Sequence, residues 1–160
     1  MDPRLGAAVA AGNLRPLAAR IDNVNLESRD AGGTTPLIRA ARAGDVATLR
    51  GLMAYGAELN GCDRHYRTAL DYAVERSSEA AVKALLAGGA SPDIGDRNAD
   101  TALHLAARGS NVAIVRDLLA AGADVTIVNA RHQTPLEVAR NSSSPSANDI
   151  ALALARAAHQ

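Results

Sequence analysis

The chain has 160 residues with 17 acidic and 17 basic side chains, so its bulk charge predicts no particular class of partner. Its single cysteine, Cys62, excludes an intrachain disulfide and a cysteine zinc cluster, and no apolar run is long enough to span a membrane. Hydrophobic residues make up 48% of the chain but aromatic residues only 2%, so alanine, leucine and valine must fill the interior.

The chain opens with a segment, residues 1–29, that is predicted to form an atypical first repeat. Residues 5–13 align with residues 37–45 at an offset of 32. We expect its first helix to start at Asp2-Pro3, because proline is well tolerated at the first helical position. The segment has no basic stretch ahead of a long apolar core, so we expect no signal peptide and a cytoplasmic location. The sequence leaves open a removed signal and a periplasmic or secreted location.

A plan of 33 residues then recurs in residues 30–62, 63–95, 96–128 and 129–160. Each copy has a threonine whose hydroxyl can cap a short helix: Thr35, Thr68, Thr101 and Thr134. A turn residue with a side-chain oxygen precedes each threonine: Asp30, Asp63, Asp96 and Asn129. A second helix ends at a glycine in three copies: Gly56, Gly89 and Gly122. A fixed period of this length predicts a stacked repeat protein.

The turn between the two helices differs among the copies. Gly44 follows the first helix in residues 30–62, whereas a serine holds that place later, at Ser77, Ser110 and Ser143. Gly109 stands beside Ser110 and is expected to serve in its place. A left-handed backbone at Ser77 would be unfavourable for a residue with a Cβ atom.

The last copy departs from the plan after its first helix. Residues 141–146 form a serine-rich loop about three residues longer than its counterparts. Ser146, with Asp149 three residues later, is typical of a helix start, so we predict a closing helix over residues 147–158. Its apolar residues Ile150, Leu152 and Leu154 form a mixed stripe that leaves the inward face undetermined.

Three motifs together resemble ankyrin repeats: T-P-L-I-R-A-A from Thr35, T-A-L-H-L-A-A from Thr101, and the closing L-L-x-x-G-A-D of residues 118–124. The resemblance implies an all-α solenoid of stacked helix-turn-helix units with hairpin-like fingers. It also implies one domain of about five repeats, in which residues 1–29 and 129–160 are caps.

The resemblance further implies that the finger tips and the outward face of the first helices line a concave groove that grips partners. The candidate finger residues are Arg64, His65, Tyr66, Arg67, Arg97, Asn98, Asp100, Arg131 and His132. The candidate helix residues are Arg39, Arg42, Tyr72, Arg76 and Arg108. Arg39 and Tyr72 replace an apolar residue found in other copies, so they are expected to serve binding, with Tyr72 as an anchor.

Several other residues could suggest a catalytic or metal-binding role, but a structural role explains them better. His104 is expected to hydrogen-bond Thr101 and a neighbouring repeat, as histidines of this family do, and Cys62 to be a half-buried filler. Asp71 and Glu75 lie four residues apart with no nucleophile or base beside them, so we assign them to a solvated helix face. The four histidines show no metal-ligand spacing.

These observations predict a non-catalytic protein-binding module that acts as an adaptor, inhibitor or scaffold, needs no cofactor or metal and is a monomer on its own. The groove arginines favour a partner with an acidic surface. The alternative is binding of a polyanion or nucleic acid, which zero net charge and only three tyrosines disfavour. An enzyme is disfavoured because no catalytic constellation is present.

Overall fold

A computed structural model describes residues 25–158, so the predicted helix start at Asp2-Pro3 lies outside the described residues. Within this range the chain forms eight helices and no strand. The helices are α1 (Pro36–Ala43), α2 (Val46–Ala54), α3 (Ala69–Glu75), α4 (Glu79–Ala87), α5 (Ala102–Arg108), α6 (Val112–Ala120), α7 (Pro135–Arg140) and α8 (Ala147–Ala157). No helix among the described residues is both long and apolar enough to cross a membrane.

The helices stack in two layers. The first helix of each unit packs on the next first helix (α1 on α3, α3 on α5, α5 on α7), and the second helices α2, α4, α6 and α8 follow the same order. Each helix also contacts its partner within the unit. This arrangement is the all-α solenoid predicted from the repeat, and we call α1, α3, α5 and α7 the inner helices.

The inner helices begin where the threonines predict. Thr35 Oγ1 accepts a hydrogen bond from the Ile38 N–H at 3.3 Å, and Thr68 Oγ1 accepts one from the Asp71 N–H at 3.3 Å. Thr134 Oγ1 accepts from the Glu137 N–H at 3.4 Å. Each bond satisfies a donor that has no partner inside the helix, so the capping prediction is confirmed for these three threonines. The Thr101 side chain makes no capping hydrogen bond to α5, although the Thr101 N–H donates to His104 Nδ1 at 3.2 Å.

Leucine, alanine and a few β-branched residues fill the space between the layers. The largest fully buried side chains are Leu37, Ile38, Leu49, Leu52, Leu70, Leu85, Leu103, Ile114, Leu118, Ile150 and Leu154. Alanines such as Ala73 and Ala107 are completely buried on the inner helices, where their small side chains let neighbouring helices approach closely.

The residues predicted to be left-handed after the inner helices are so at two positions and not at the others. Gly44 has a φ of 73°, and Ser77 at the equivalent position has a φ of 53°. Gly109 does not take over this role, because its backbone is extended with φ −75° and ψ −168°. Neither Ser110 nor Ser143 has a positive φ. The turn after α5 is therefore built differently from those after α1 and α3.

The closing helix α8 starts at Ala147 as predicted, although the Ser146 side chain makes no capping hydrogen bond. Ile150 and Leu154, one turn apart, are buried, while Leu152 remains 51% exposed. The inward face of α8 is thus the stripe that contains Ile150 and Leu154, because residues four apart lie on one side of a helix.

Candidate partner-binding surface

Four fingers project from the stack, each beginning with the acidic or amide turn residue. They span residues 30–34, 63–67, 96–100 and 129–133 and are called fingers 1 to 4. In finger 2 the Tyr66 N–H bonds the Asp63 carbonyl at 3.0 Å, and Asp63 Oδ1 accepts from the N–H groups of His65 (2.8 Å) and Arg67 (3.1 Å). Asp30, Asp96 and Asn129 close their own fingers in the same way.

The fingers are tied to one another through the backbone. The Arg64 N–H donates to the Gly32 carbonyl at 3.1 Å, and the Arg97 N–H donates to the His65 carbonyl at 3.0 Å. The Ala130 N–H donates to the Asn98 carbonyl at 2.8 Å. One bond of this kind joins each finger to the next, so the tips form a continuous braced row.

The fourth residue of each finger has a left-handed backbone. Gly33 has a φ of 75°, while Tyr66, Ala99 and His132 have φ values of 61°, 57° and 56°. Glycine adopts this conformation freely, whereas other residues are disfavoured in it by roughly 1–2 kcal/mol. Finger 2 therefore holds a tyrosine in an unfavourable conformation and exposes 58% of it to solvent.

Two candidate helix residues reach back to the fingers. Arg39 Nη2 lies 3.1 Å from Asp30 Oδ2, and the Tyr72 hydroxyl donates to Asp63 Oδ2 at 2.7 Å. Each residue stands nine positions after the finger acid that it contacts. Their polar groups are thus used inside the protein, which explains why polar residues are tolerated at an apolar position.

Tyr72 is also enclosed by two guanidinium groups. The Arg67 guanidinium carbon lies 4.2 Å from its ring centroid and that of Arg42 lies 5.5 Å away. Burial would raise the pKa of Asp63, but the Tyr72 hydroxyl and the backbone N–H groups of Arg67 and His65 outweigh it and lower that pKa. Tyr72 is half-buried, so it braces finger 2 and offers a partner only part of its ring.

Ion pairs occupy two more of the candidate residues. Arg67 Nη2 lies 2.7 Å from Glu75 Oε2, and its side chain is only 17% exposed. Arg108 pairs with Asp100, whose other carboxylate oxygen accepts from Asn129 Nδ2 at 2.8 Å. Asp100 is 4% exposed. The prediction that Asp100 contacts a partner is therefore corrected, because its carboxylate is buried and holds Arg108 and finger 4.

The other candidate residues lie at the surface. Those exposed are Arg42, Arg64, His65, Tyr66, Arg76, Arg97, Asn98, Arg108, Arg131 and His132. Arg39, Arg67 and Tyr72 are half-buried. We call the finger tips together with the solvent side of the inner helices the groove face.

The expectation of a solvated helix face at Asp71 and Glu75 is wrong for Asp71. Asp71 is 1% exposed, and its Oδ2 accepts from the N–H and the hydroxyl of Thr68 at 2.8 and 2.9 Å. Burial raises the pKa of Asp71 to about 6, against the opposing effect of these hydrogen bonds. Glu75 is exposed as expected.

The structural interpretation of His104 is confirmed. His104 Nδ1 lies 2.9 Å from Thr101 Oγ1, and Nε2 lies 2.9 Å from the Gln133 carbonyl. Because a carbonyl only accepts, Nε2 carries the proton and Nδ1 accepts from Thr101. Cys62 is half-buried, as expected of a filler. Among residues 25–158 no group of three or more His, Cys, Asp or Glu residues could hold a metal ion.

A cavity of about 440 Å³ between fingers 2 and 3 brings many candidate residues together. The predicted residues in its wall are His65, Arg67, Tyr72, Arg97, Asn98 and Arg108. Glu75, which the sequence placed on the same helix face, also lies in the wall, whereas Asp96 and Leu105 complete it and were not proposed as contacts. The sequence signal for Leu105 was its apolar character at the position where Arg39 and Tyr72 are polar.

The fold and this face define a stacked helical repeat protein with projecting fingers. A family profile for ankyrin repeats, in three copies, matches residues 5–96 and 78–159. These matches cover nearly the whole chain, so the chain belongs to the ankyrin-repeat family. Ankyrin repeats are in general protein–protein interaction modules and are typically non-catalytic. No curated protein matches the chain by sequence.

Proposed function

We propose that this protein is a non-catalytic adaptor, inhibitor or scaffold that binds the acidic surface of a partner protein on its groove face. One observation carries the proposal. Five arginines of this face have no carboxylate within ion-pair distance among residues 25–158: Arg42, Arg64, Arg76, Arg97 and Arg131. We call them the groove arginines.

Most acids of the same face are already engaged, and Asp96 closes finger 3 through one of its two oxygens. Asp30 and Asp63 close fingers and bond to Arg39 and Tyr72, while Asp100 is buried against Arg108. Glu75 is exposed but pairs with Arg67. A neutral chain therefore carries a locally positive face, which steers an acidic partner and fixes its register.

The braced row of fingers supports binding as a preformed surface. Because bonds between successive fingers already order the tips, little conformational entropy is lost on association. Tyr66 supplies an exposed aromatic anchor at the centre of the row. A tyrosine kept in an unfavourable backbone conformation suggests a functional role for its side chain.

The test starts with a pull-down from the native cell and identification of the partner by mass spectrometry. Arg64→Glu combined with Arg131→Glu then reverses two groove arginines whose side chains make no ion pair among the described residues. Arg67 is unsuitable, because its reversal would set two acids opposite each other at Glu75. We expect the association rate at low salt to fall by about tenfold or more, since charge complementarity speeds encounter.

The matched control is Arg50→Glu combined with Arg116→Glu, two exposed arginines on α2 and α6, the second helices of their units. This variant should bind the partner like the wild type. Equal losses in the two variants would contradict binding on the groove face. Binding of generic DNA with a steep decrease as salt rises would instead support the polyanion alternative.

A further inference from the structure

The fingers differ in how the second oxygen of the turn acid is used. In fingers 1 and 2 this oxygen contacts Arg39 Nη2 at 3.1 Å and the Tyr72 hydroxyl at 2.7 Å. The residue nine positions after Asp96 is Leu105, which has no donor. Asp96 Oδ1 accepts the N–H groups of Asn98 (2.7 Å) and Asp100 (3.0 Å), but within residues 25–158 no group donates to Oδ2.

Asp96 and Leu105 both lie in the wall of the cavity between fingers 2 and 3. Its volume of about 440 Å³ falls in the range of pockets that hold small organic groups. Where Arg39 and Tyr72 stand in the earlier repeats, Leu105 thus leaves an apolar side chain in the wall and a carboxylate oxygen that has no donor among residues 25–158.

We propose that this cavity binds a tyrosine side chain of the partner, whose hydroxyl donates to Asp96 Oδ2 while its ring packs on Leu105. The inference rests on the proposed function and identifies the chemistry that the cavity recognises. Tyr72 provides the precedent one repeat earlier, because its hydroxyl donates to the equivalent oxygen of Asp63.

The charges around the cavity select a phenol over a cationic donor. Arg67, Arg97 and Arg108 all lie in the wall. Glu75 and Asp96 lie there too, and Arg67 and Arg108 are already paired with Glu75 and Asp100. Arg97 makes no ion pair among residues 25–158, so it disfavours an arginine or lysine of the partner, whereas its guanidinium is attracted to the face of an aromatic ring. Arg67 already shows this preference, with its guanidinium 4.2 Å from the Tyr72 ring centroid.

The first experiment uses p-cresol as the probe, because it reproduces the tyrosine side chain without its backbone. In an NMR titration of the full chain, p-cresol should shift the amide signals of residues 96–98 and 105. Toluene, which lacks the hydroxyl, should bind about tenfold more weakly, the usual effect of one hydrogen bond to a charged acceptor. Equal affinity for the two probes, or shifts confined to other residues, would overturn the proposal.

The matched variant is Asp96→Asn. Asn129 shows that asparagine closes a finger, since its Oδ1 accepts from the N–H groups of Arg131 and Gln133. The variant should keep finger 3 closed but replace the accepting oxygen with a donating amide. We expect p-cresol to bind about tenfold more weakly and toluene to bind as before. Unchanged p-cresol affinity would rule out Asp96 as the acceptor.

A second variant, Leu105→Tyr, supplies the donor from the chain itself. It should bond Asp96 as Tyr72 bonds Asp63, raise the melting temperature and abolish p-cresol binding. The control is Val138→Tyr at the equivalent position, a buried residue nine positions after Asn129, whose oxygen and amide already have partners. Only Leu105→Tyr should gain stability, and p-cresol binding that persists in it would contradict the proposal.

Measurements with p-cresol and with the partner distinguish a failure of this inference from a failure of the proposed function. If Arg64→Glu with Arg131→Glu leaves partner binding intact while p-cresol still binds at Asp96, the groove face is wrong and the cavity remains a phenol site. If Asp96→Asn loses p-cresol but binds the isolated partner like the wild type, the partner does not use the cavity and this inference fails.

Discussion

Ser77 carries the strain of the turn between α3 and α4. Its φ is 53°, and the bonds from the Ser77 N–H to the Val74 carbonyl and from the Ser78 N–H to the Ala73 carbonyl match those around Gly44. The geometry of the turn therefore requires a left-handed residue, and serine is less suited to that conformation than glycine because of its Cβ atom.

We predict that Ser77→Gly stabilises the fold by about 1 kcal/mol, since it removes the Cβ strain of a left-handed residue. Thermal unfolding should show a melting temperature higher by about 3 °C. Ser110→Gly is the control, because Ser110 has no positive φ. A gain of similar size in both variants would show that left-handed strain is not the cause.

The pKa of Asp71 is set by its burial in the fold. Burial raises its pKa from 3.8 to about 6, with Arg67 lowering that pKa and Asp96 raising it further. A carboxyl group with a raised pKa in the folded state binds its proton more tightly there than in the unfolded chain. Its contribution to stability is therefore largest at acidic pH and is lost as the pH rises from about 4 through 6.

Asp71→Asn should remove this dependence, because asparagine is neutral and keeps one oxygen to accept from Thr68. We expect the variant to be more stable than the wild type at pH 7, by on the order of 2 kcal/mol, and nearly equal to it at pH 4. Melting temperatures measured across this range decide the matter. A constant difference at all pH values would mean that ionisation of Asp71 is not responsible.

At the scale of the element, the fingers combine a common frame with variable tips. Every finger closes through the side-chain oxygen of its first residue and places its fourth residue in a left-handed conformation. Gly33 satisfies this conformation without strain, whereas Tyr66 and His132 keep large side chains there. The frame tolerates these side chains because the tip is open to solvent.

We predict that Tyr66→Gly separates stability from binding. The melting temperature should rise because finger 2 gains the residue that finger 1 already has. Partner affinity should fall by about 2 kcal/mol if Tyr66 is an aromatic anchor. Ala99→Gly is the matched control in finger 3, where the same backbone relief should raise stability and leave binding unchanged. A Tyr66→Gly variant with full affinity would exclude Tyr66 from the interface.

At the scale of the whole molecule, we predict that neither the melting temperature nor partner binding depends on a metal ion. His104 is the one buried histidine among residues 25–158 and has both ring nitrogens in hydrogen bonds, and His65 and His132 lie on different fingers. Addition of EDTA should leave the melting temperature and partner binding unchanged. A shift of several degrees on chelation would reopen His65, His104 and His132 as ligands.

The arrangement of repeats was accessible from the sequence because its signals are local. Thr35 and Pro36 define a helix start through contacts within three residues, and the 33-residue step repeats that signal along the chain. The positive φ of Gly56 was also predictable, because a glycine directly after a helix commonly adopts the left-handed conformation. Turn closure by Asp63 is likewise local, since its partners lie two and four residues away.

Contacts across repeats were decided only by the tertiary structure. Asp71 looks like an exposed acid beside Glu75, yet packing of α3 between α1 and α5 buries it. The family resemblance placed Asp100 among the finger residues that contact a partner, but Asn129 of the next finger and Arg108 bind its carboxylate.

The sequence by itself thus determined the repeat, the helix starts and most of the side chains that face outward, because each depends on neighbours within one turn or one fixed step; Asp71 and Asp100 are the exceptions. Which of those side chains remain available to a partner depended on distances between repeats. Leu105 forms part of a candidate binding site only together with Asp96 and the arginines in the same cavity wall. These groups lie close together because the stack brings positions about one period apart into contact.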